Sequence, residues 1–124
     1  MNLIRANIAK WGNKLEPYIF TVILLIGCWA LFSDKYFFSL DGASHVYNAV
    51  IINDLLFNPD SIYEPYFKLN PFPVPNWMGH FILCVLIPLF GGIIAEKILL
   101  AIIIVGTPLA GRLLMKKLGG SVLP

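Results

Sequence analysis

Three long runs without Asp, Glu, Lys or Arg constrain the fold of this chain more than any other feature. They span residues 18–32, 77–95 and 98–111. A helix of about 20 apolar residues crosses a hydrocarbon core of about 30 Å. Charged residues make up only 13% of the chain and hydrophobic residues 58%, whereas about a quarter of a soluble domain is charged. The sequence therefore predicts an all-α integral membrane protein with about three spans.

The charge content argues against nucleic acid as a partner, and the cysteine positions argue against a zinc site and a disulfide framework. Nine basic and seven acidic residues give a net charge of +2, which is far below the cation density that neutralises nucleic-acid phosphates. We therefore predict a lipid bilayer as a partner and no nucleic acid. Cys28 and Cys84 lie inside apolar runs, so their spacing matches neither a zinc site nor a disulfide framework.

Residues 1–17 are predicted to form a cytoplasmic helix on the membrane surface. Ile4, Ile8, Trp11 and Leu15 recur at helical spacing, and Pro17 is expected to end the helix where the chain enters the bilayer. The alternative is a solvated basic leader. The cations of this segment outnumber those just after the first run, so the positive-inside rule places the N-terminus in the cytoplasm.

The remaining segments follow from the apolar runs and the glycines between them. We predict a first span at 18–33, an external loop at 34–76 with an amphipathic helix at 41–57, spans at 77–92 and 93–111 that meet near Gly91-Gly92, and a basic connector at 112–124. A cleaved signal peptide is the rival for the first span, but Ala30-Leu31-Phe32 offers no small-residue cleavage site. The chain is expected to be a fragment of a longer multi-pass protein.

The third predicted span creates a conflict. Three crossings place Arg112, Lys116 and Lys117 outside, against the positive-inside rule. Two explanations stay open. Either these cations follow an inverted local topology, or one of the last two apolar segments is re-entrant.

The external loop holds five of the seven carboxylates and a candidate site. Asp41, His45 and Asn48 are spaced i, i+4 and i+7, which places them on one face of a helix. A carboxylate and an imidazole so placed suit a base and its orienting group, or a divalent cation site. In the structural alternative, Asp41 or Ser39 caps the helix and the other two residues contact the headgroups or a neighbouring loop.

Three further groups of residues in the sequence each allow a functional and a structural interpretation. His80, in the first turn of the second span, faces an aqueous cleft or the helix bundle, or is an ordinary interfacial histidine. Glu96-Lys97 is interpreted as a solvated turn or a self-neutralising pair. Trp77 and the loop tyrosines fit interfacial anchors better than sugar-stacking platforms.

Three stretches carry a resemblance to a known family. These are Asp41-Gly42-Ala43-Ser44-His45-Val46-Tyr47-Asn48, the run from Asn70 to His80, and Ala95-Glu96-Lys97. They resemble a group of bacterial multi-pass proteins with a D-G-x-x-H-x-Y-N signature. The order of a cytoplasmic start, a first span, an external acidic residue, an amphipathic helix and a proline-rich aromatic stretch resembles the GT-C superfamily of membrane glycosyltransferases.

That resemblance implies a function and a location. It implies the N-terminal part of an enzyme of the bacterial inner membrane, which takes a sugar from a polyprenyl-phosphate donor at the outer face and works with the remaining helices of the full-length protein. Asp41 matches the acidic residue that in the family acts as catalytic base or helps to bind the metal and the acceptor, and His45 beside it is the second candidate catalytic residue. Asn48, Asn70, Trp77 and His80 are the candidate substrate-binding residues. A divalent metal is possible, although Gly42 stands where many members have a second acid. The rival hypothesis is a non-enzymatic transporter or assembly subunit.

Overall fold

The computed structural model describes residues 2–37, 39–70, 72, 75 and 77–119, with side chains from Lys14 onward. The helices are α1 (Asn2–Phe32), α2 (Gly42–Phe57), α3 (Trp77–Phe90) and α4 (Gly92–Lys117), and this part of the chain contains no strand. The all-α prediction is confirmed there. The side-chain face predicted for Ile4, Ile8 and Trp11 lies outside the described side chains.

Helix α1 runs through Pro17, so the predicted helix end at this residue is wrong. Proline lacks the N–H that would bond to the carbonyl four residues earlier, but its fixed φ is compatible with a helix. Nearby hydroxyl side chains commonly bond to the backbone of such membrane helices. Here the Thr21 hydroxyl donates to the Pro17 carbonyl at 2.8 Å. The apolar part of the helix, Lys14–Phe32, is long enough to cross a membrane.

The two predicted C-terminal spans differ in whether their helices are long enough to cross a membrane. With 26 residues, α4 is about 39 Å long and is the second described helix that is long and apolar enough to cross. With 14 residues, α3 is about 21 Å long, which is shorter than a hydrocarbon core of about 30 Å. Two candidate spans support a membrane protein. The count of three spans stays a prediction.

Helix α1 and the C-terminal part of α4 belong to one compact unit, Met1–Ser33 with Ala101–Pro124. An Arg112 guanidinium nitrogen lies 2.5 Å from Glu16 Oε2. Further along α1, a Cβ placed on Gly27 would lie 3.2 Å from a methyl carbon of Ile104. Residue numbers rise along α1 while those of the partners on α4 fall. The two helices therefore run antiparallel.

The second unit, Asp34–Leu100, holds α2, α3 and the start of α4 around a small core. Ala49, Leu83 and Ala95 are at most 1% exposed and form its centre. The Asn53 amide donates to the Cys84 carbonyl at 2.9 Å and joins α2 to α3. Ala49 and Asn53 thus lie on the face of α2 that the sequence predicts to be packed.

The last turn of α2 is exposed. Helical spacing in the sequence predicts that Leu56 and Phe57 point to the same side of α2 as Ala49 and Asn53, and here they are 55% and 80% exposed. Asn58 follows as the helix C-cap, and the Ser61 hydroxyl donates to Asp54 one turn before the helix end. The predicted stop at Asn58-Pro59-Asp60 is confirmed.

The predicted break at Gly91-Gly92 is also confirmed, and Gly91 explains it. This residue has φ +76° and separates α3 from α4. Its N–H donates to the Ile87 carbonyl, and its own carbonyl accepts from the Ala95 N–H. A left-handed residue at the end of a helix is usually glycine, because a Cβ clashes with the following backbone in that conformation.

We therefore expect Gly91→Ala to lower the free energy of unfolding by about 1–2 kcal/mol, the usual cost of the left-handed conformation for a residue with a Cβ. Gly106→Ala is the matched control, because Gly106 lies inside α4 and a Cβ there meets no other atom within 4 Å. Thermal unfolding in detergent measures both variants. Equal melting temperatures would contradict the strain assigned to Gly91.

Candidate functional site

Asp41 occupies the N-cap position of α2 but makes no side-chain capping hydrogen bond. Instead, the Ser39 hydroxyl oxygen accepts from the Gly42 N–H at 3.0 Å. Of the two predicted caps, Ser39 is therefore the one that bonds to the helix. The exposed Asp41 carboxylate remains available for another role.

Glu96 is a residue of this site that the sequence reasoning missed. Its carboxylate accepts a hydrogen bond from the Ser39 hydroxyl and lies against Gly42 at the start of α2. The backbone N–H groups of a helix N-terminus carry partial positive charge and favour a carboxylate there. Glu96 therefore ties the start of α4 to the start of α2.

Lys97 rules out a solvated turn at Glu96-Lys97. The helix continues through both residues, and Lys97 is only 3% exposed. Its ammonium group donates to the Asp34 carbonyl. Charged residues inside an apolar helix are costly unless they find partners, and that cost is the sequence signal that could have identified both residues.

His45 and His80 form a further polar contact between α2 and α3. His45 Nδ1 lies 3.1 Å from His80 Nε2, and the two ring centroids are 5.0 Å apart. One of these nitrogens must donate and the other must accept, so the contact tolerates a charge on one ring at most. Partial burial lowers the pKa of His80, and the neighbouring His45 lowers it further. The imidazole of His45 is therefore held by His80.

A cavity of about 200 Å³ brings together the four candidate substrate-binding residues. Asn48 reaches it from α2, Asn70 from the connecting segment, and Trp77 and His80 from α3. Lys68 also lines it, and it is a cation that the sequence reasoning did not assign to the site. The wall thus sets a few amide, imidazole, indole and ammonium groups from three segments among apolar side chains such as Ile51, Leu55 and Phe67, so this cavity is mainly apolar.

A second cavity of about 340 Å³ shares five lining residues with the first and is mainly apolar. Asn70, Trp77 and His80 line both cavities. The apolar side chains of the larger cavity come from α2, the connecting segment and α3: Ile52, Leu56, Phe57, Leu69, Phe81 and Val85. Together the two cavities suit a ligand with a polar head and an apolar chain.

Of the two candidate catalytic residues, His45 contacts a residue that lines the cavities and Asp41 does not. Neither Asp41 nor His45 lines them, but His45 reaches them through its contact with His80. Asp41 precedes His45 by one helical turn, at the exposed start of α2. A ligand in the cavities would thus meet His80 first, and Asp41 would act only on a group beyond the cavity.

The donor set does not fit the divalent metal that the family resemblance allows. Among the described residues, no group of three or more His, Cys, Asp or Glu side chains could hold a metal ion. Magnesium and calcium take several oxygen ligands, whereas the facing nitrogens of His45 and His80 are turned toward each other. We therefore derive no metal-dependent step.

Comparison with known proteins adds no family to this description. No family model, curated protein or solved structure matches the chain.

Gly42 offers a test of the Ser39–Glu96 contact. A Cβ at this position would overlap the Glu96 carboxylate and the Ser39 hydroxyl, so Gly42→Ala must displace Glu96 from the helix start. Both groups are ends of flexible side chains that can move aside, so the cost is the loss of the Ser39–Glu96 hydrogen bond, which is about 1.5–3 kcal/mol for a bond to a charged group. We expect Gly42→Ala to lower the melting temperature in detergent.

The matched control is Gly79→Ala near the start of α3, where an added Cβ meets no atom within 4 Å. Alanine is a better helix former than glycine, so this variant should be neutral or slightly stabilised. If Gly42→Ala melts at the same temperature as Gly79→Ala, the contact of Glu96 with the start of α2 does not require glycine at position 42.

Proposed function

We propose that the chain is part of a membrane glycosyltransferase of the GT-C type that uses a polyprenyl-phosphate sugar donor at the outer face of the bacterial inner membrane. One observation carries the proposal. The four residues that the family resemblance of the sequence marks as candidate substrate-binding residues, Asn48, Asn70, Trp77 and His80, line one cavity. The apolar cavity beside it supplies a wall suited to an isoprenoid chain.

In this proposal the cavity residues bind the donor. The Lys68 ammonium group and the Asn48 and Asn70 amides supply hydrogen-bond donors for a phosphate. The bond from Lys68 is the strongest of the three, because both of its partners are charged. Trp77 supplies an amphipathic ring at the membrane surface. His80, held by His45, supplies a fixed nitrogen at the boundary between the two cavities.

Asp41 is the proposed base. In sugar transfer the acceptor oxygen forms a bond to the anomeric carbon, the bond from that carbon to the donor phosphate breaks, and polyprenyl phosphate leaves. The acceptor hydroxyl loses its proton, and an exposed carboxylate can accept that proton. Because Asp41 makes no capping bond, its chemistry is not tied to the stability of α2. The acceptor would then approach from outside the cavity while the donor lies inside it.

The position of Asp41 outside both cavities favours a second candidate function. In that alternative, the unit of α2 and α3 is a docking surface of a transporter or an assembly subunit, and Asp41 is an ordinary exposed carboxylate. In that case a segment of the partner protein would pack into the cavity. The two candidates differ in whether the charge of Asp41 is needed.

In the full-length protein, Asp41→Asn should reduce sugar transfer by at least about 100-fold, because general base catalysis contributes about 10²–10⁴. The amide keeps the size of the side chain, so expression and melting temperature should not change. Asp60→Asn is the matched control, since Asp60 is an exposed carboxylate of the same loop that lines neither cavity. Transfer from a synthetic lipid-linked sugar measures the effect. Near-normal activity of Asp41→Asn would favour the docking function.

Binding of the donor can be tested apart from transfer. We expect Lys68→Met to weaken the binding of a short isoprenyl phosphate by about 10- to 150-fold, because a charge-assisted hydrogen bond contributes about 1.5–3 kcal/mol and each 1.4 kcal/mol is tenfold in affinity. Titration calorimetry in detergent measures it. Lys35→Met is the control, since the Lys35 ammonium lies 5.2 Å from the Tyr36 ring centroid and lines neither cavity. Equal affinities of the two variants would exclude Lys68 from the phosphate site.

A further inference from the structure

Helix α3 has an exposed face that is entirely apolar. Met78, Phe81, Val85 and Leu89 follow the i, i+3, i+7, i+11 spacing of one helix face, and each is 53–71% exposed. The opposite face carries Leu83, which is 1% exposed in the core. We call the four exposed residues the α3 stripe.

An exposed apolar stripe of this size is unfavourable in water, since each buried Å² of apolar surface contributes about 25 cal/mol. Large exposed apolar patches mark contacts with lipid or with other proteins. Residues 77–90 contain no Lys, Arg, Asp or Glu, and the ionisable residue His80 contacts His45 of α2 and does not belong to the stripe, so no charged side chain on the stripe opposes insertion into lipid. The chain connectivity favours lipid as the group that covers the stripe, because α3 continues through the single residue Gly91 into the membrane helix α4.

The antiparallel contact of α1 with α4 decides whether α3 also crosses. If α1, α3 and α4 all crossed the bilayer, the first and third crossings would run in the same direction. The Glu16–Arg112 ion pair and the approach of Gly27 to Ile104 show that they run in opposite directions. An even number of crossings satisfies this geometry, and α3 is also too short to cross.

We propose that α3 does not cross the membrane but lies along its outer surface, with the α3 stripe inserted into the lipid of the outer leaflet. The chain then has two spans, α1 and α4. This arrangement places Arg112, Lys116 and Lys117 on the same side as the basic N-terminal segment, as the positive-inside rule requires. The two-span arrangement thus removes the conflict that three spans create. The proposal does not depend on the proposed glycosyltransferase activity.

Cysteine labelling tests the number of crossings. The background carries Cys28→Ala and Cys84→Ser, and single cysteines replace Lys14, Ile62 or Leu118. Ile62 and Leu118 are 74% and 75% exposed, and Lys14 is also exposed. Ser61 would be a poor probe, since it is 8% exposed and bonds to Asp54. The probe is a membrane-impermeant maleimide added to intact and permeabilised cells.

Two crossings predict labelling of the Ile62 site in intact cells, and labelling of the Lys14 and Leu118 sites only after permeabilisation. Three crossings predict that the Ile62 and Leu118 sites react together, which would overturn the proposal. The comparison of Lys14 with Leu118 is decisive whichever way the chain is oriented. These two sites lie on the same side for two crossings and on opposite sides for three.

Depth measurement tests the orientation of α3. Nitroxide labels at Met78 and Leu89 are three helical turns apart, about 16 Å along the axis. A helix lying in the leaflet keeps both labels at similar depth in phosphatidylethanolamine and phosphatidylglycerol vesicles, as read from oxygen and nickel-complex accessibility. Labels at Ile93 and Ile103 on α4, which are 43% and 51% exposed, are the matched control.

The control labels should differ in depth by about 15 Å, because α4 crosses the bilayer. Depths that differ equally in the two pairs would show that α3 crosses, and would overturn the proposal. Aqueous accessibility at both α3 labels would also overturn it, because the stripe would then not lie in lipid. Similar, lipid-exposed depths on α3 with different depths on α4 would support it.

Discussion

The close approach of α2 to α3 around Ala49 is the contact on which the candidate site depends. Ala49 is fully buried, and its small side chain lets the two helices come close enough for polar groups to meet across them. His45 and Asn53 lie one turn on either side of Ala49 on the same stripe of α2. They bond to His80 and to the Cys84 carbonyl. The cavity walls follow from this packing.

The polar groups that hold this unit together are few and specific. An apolar surround makes an unpaired polar group costly, and each of these groups has a partner of matching chemistry. Glu96 receives the Ser39 hydroxyl at the start of α2, and the buried Lys97 donates to the Asp34 carbonyl. Two neighbouring charges on α4 thus secure the start of α2 and the chain segment that precedes it. This accounts for charges at this point of an otherwise apolar helix.

The candidate site was predicted in part from the sequence. The family resemblance of the sequence implies that Asn48, Asn70, Trp77 and His80 bind substrate, and in the structure these four residues line one cavity. His45 was placed on the polar face with Asp41, but it packs toward α3 and meets His80. Helical spacing assigns a residue to a face. It does not show which neighbouring element covers that face.

Local chemistry determined the elements, and tertiary packing determined the contacts. The apolar runs, the stop at Asn58 and the break at Gly91 were readable from the sequence, because burial pattern, proline and glycine act over a few residues. The continuation of α1 through Pro17 was not, because a proline removes only one backbone hydrogen bond and a 31-residue helix can continue despite that loss. The antiparallel run of α1 and α4, fixed by Glu16 and Arg112, joins residues far apart in the chain. Only the folded structure could show it, because no local pattern specifies which distant side chains meet.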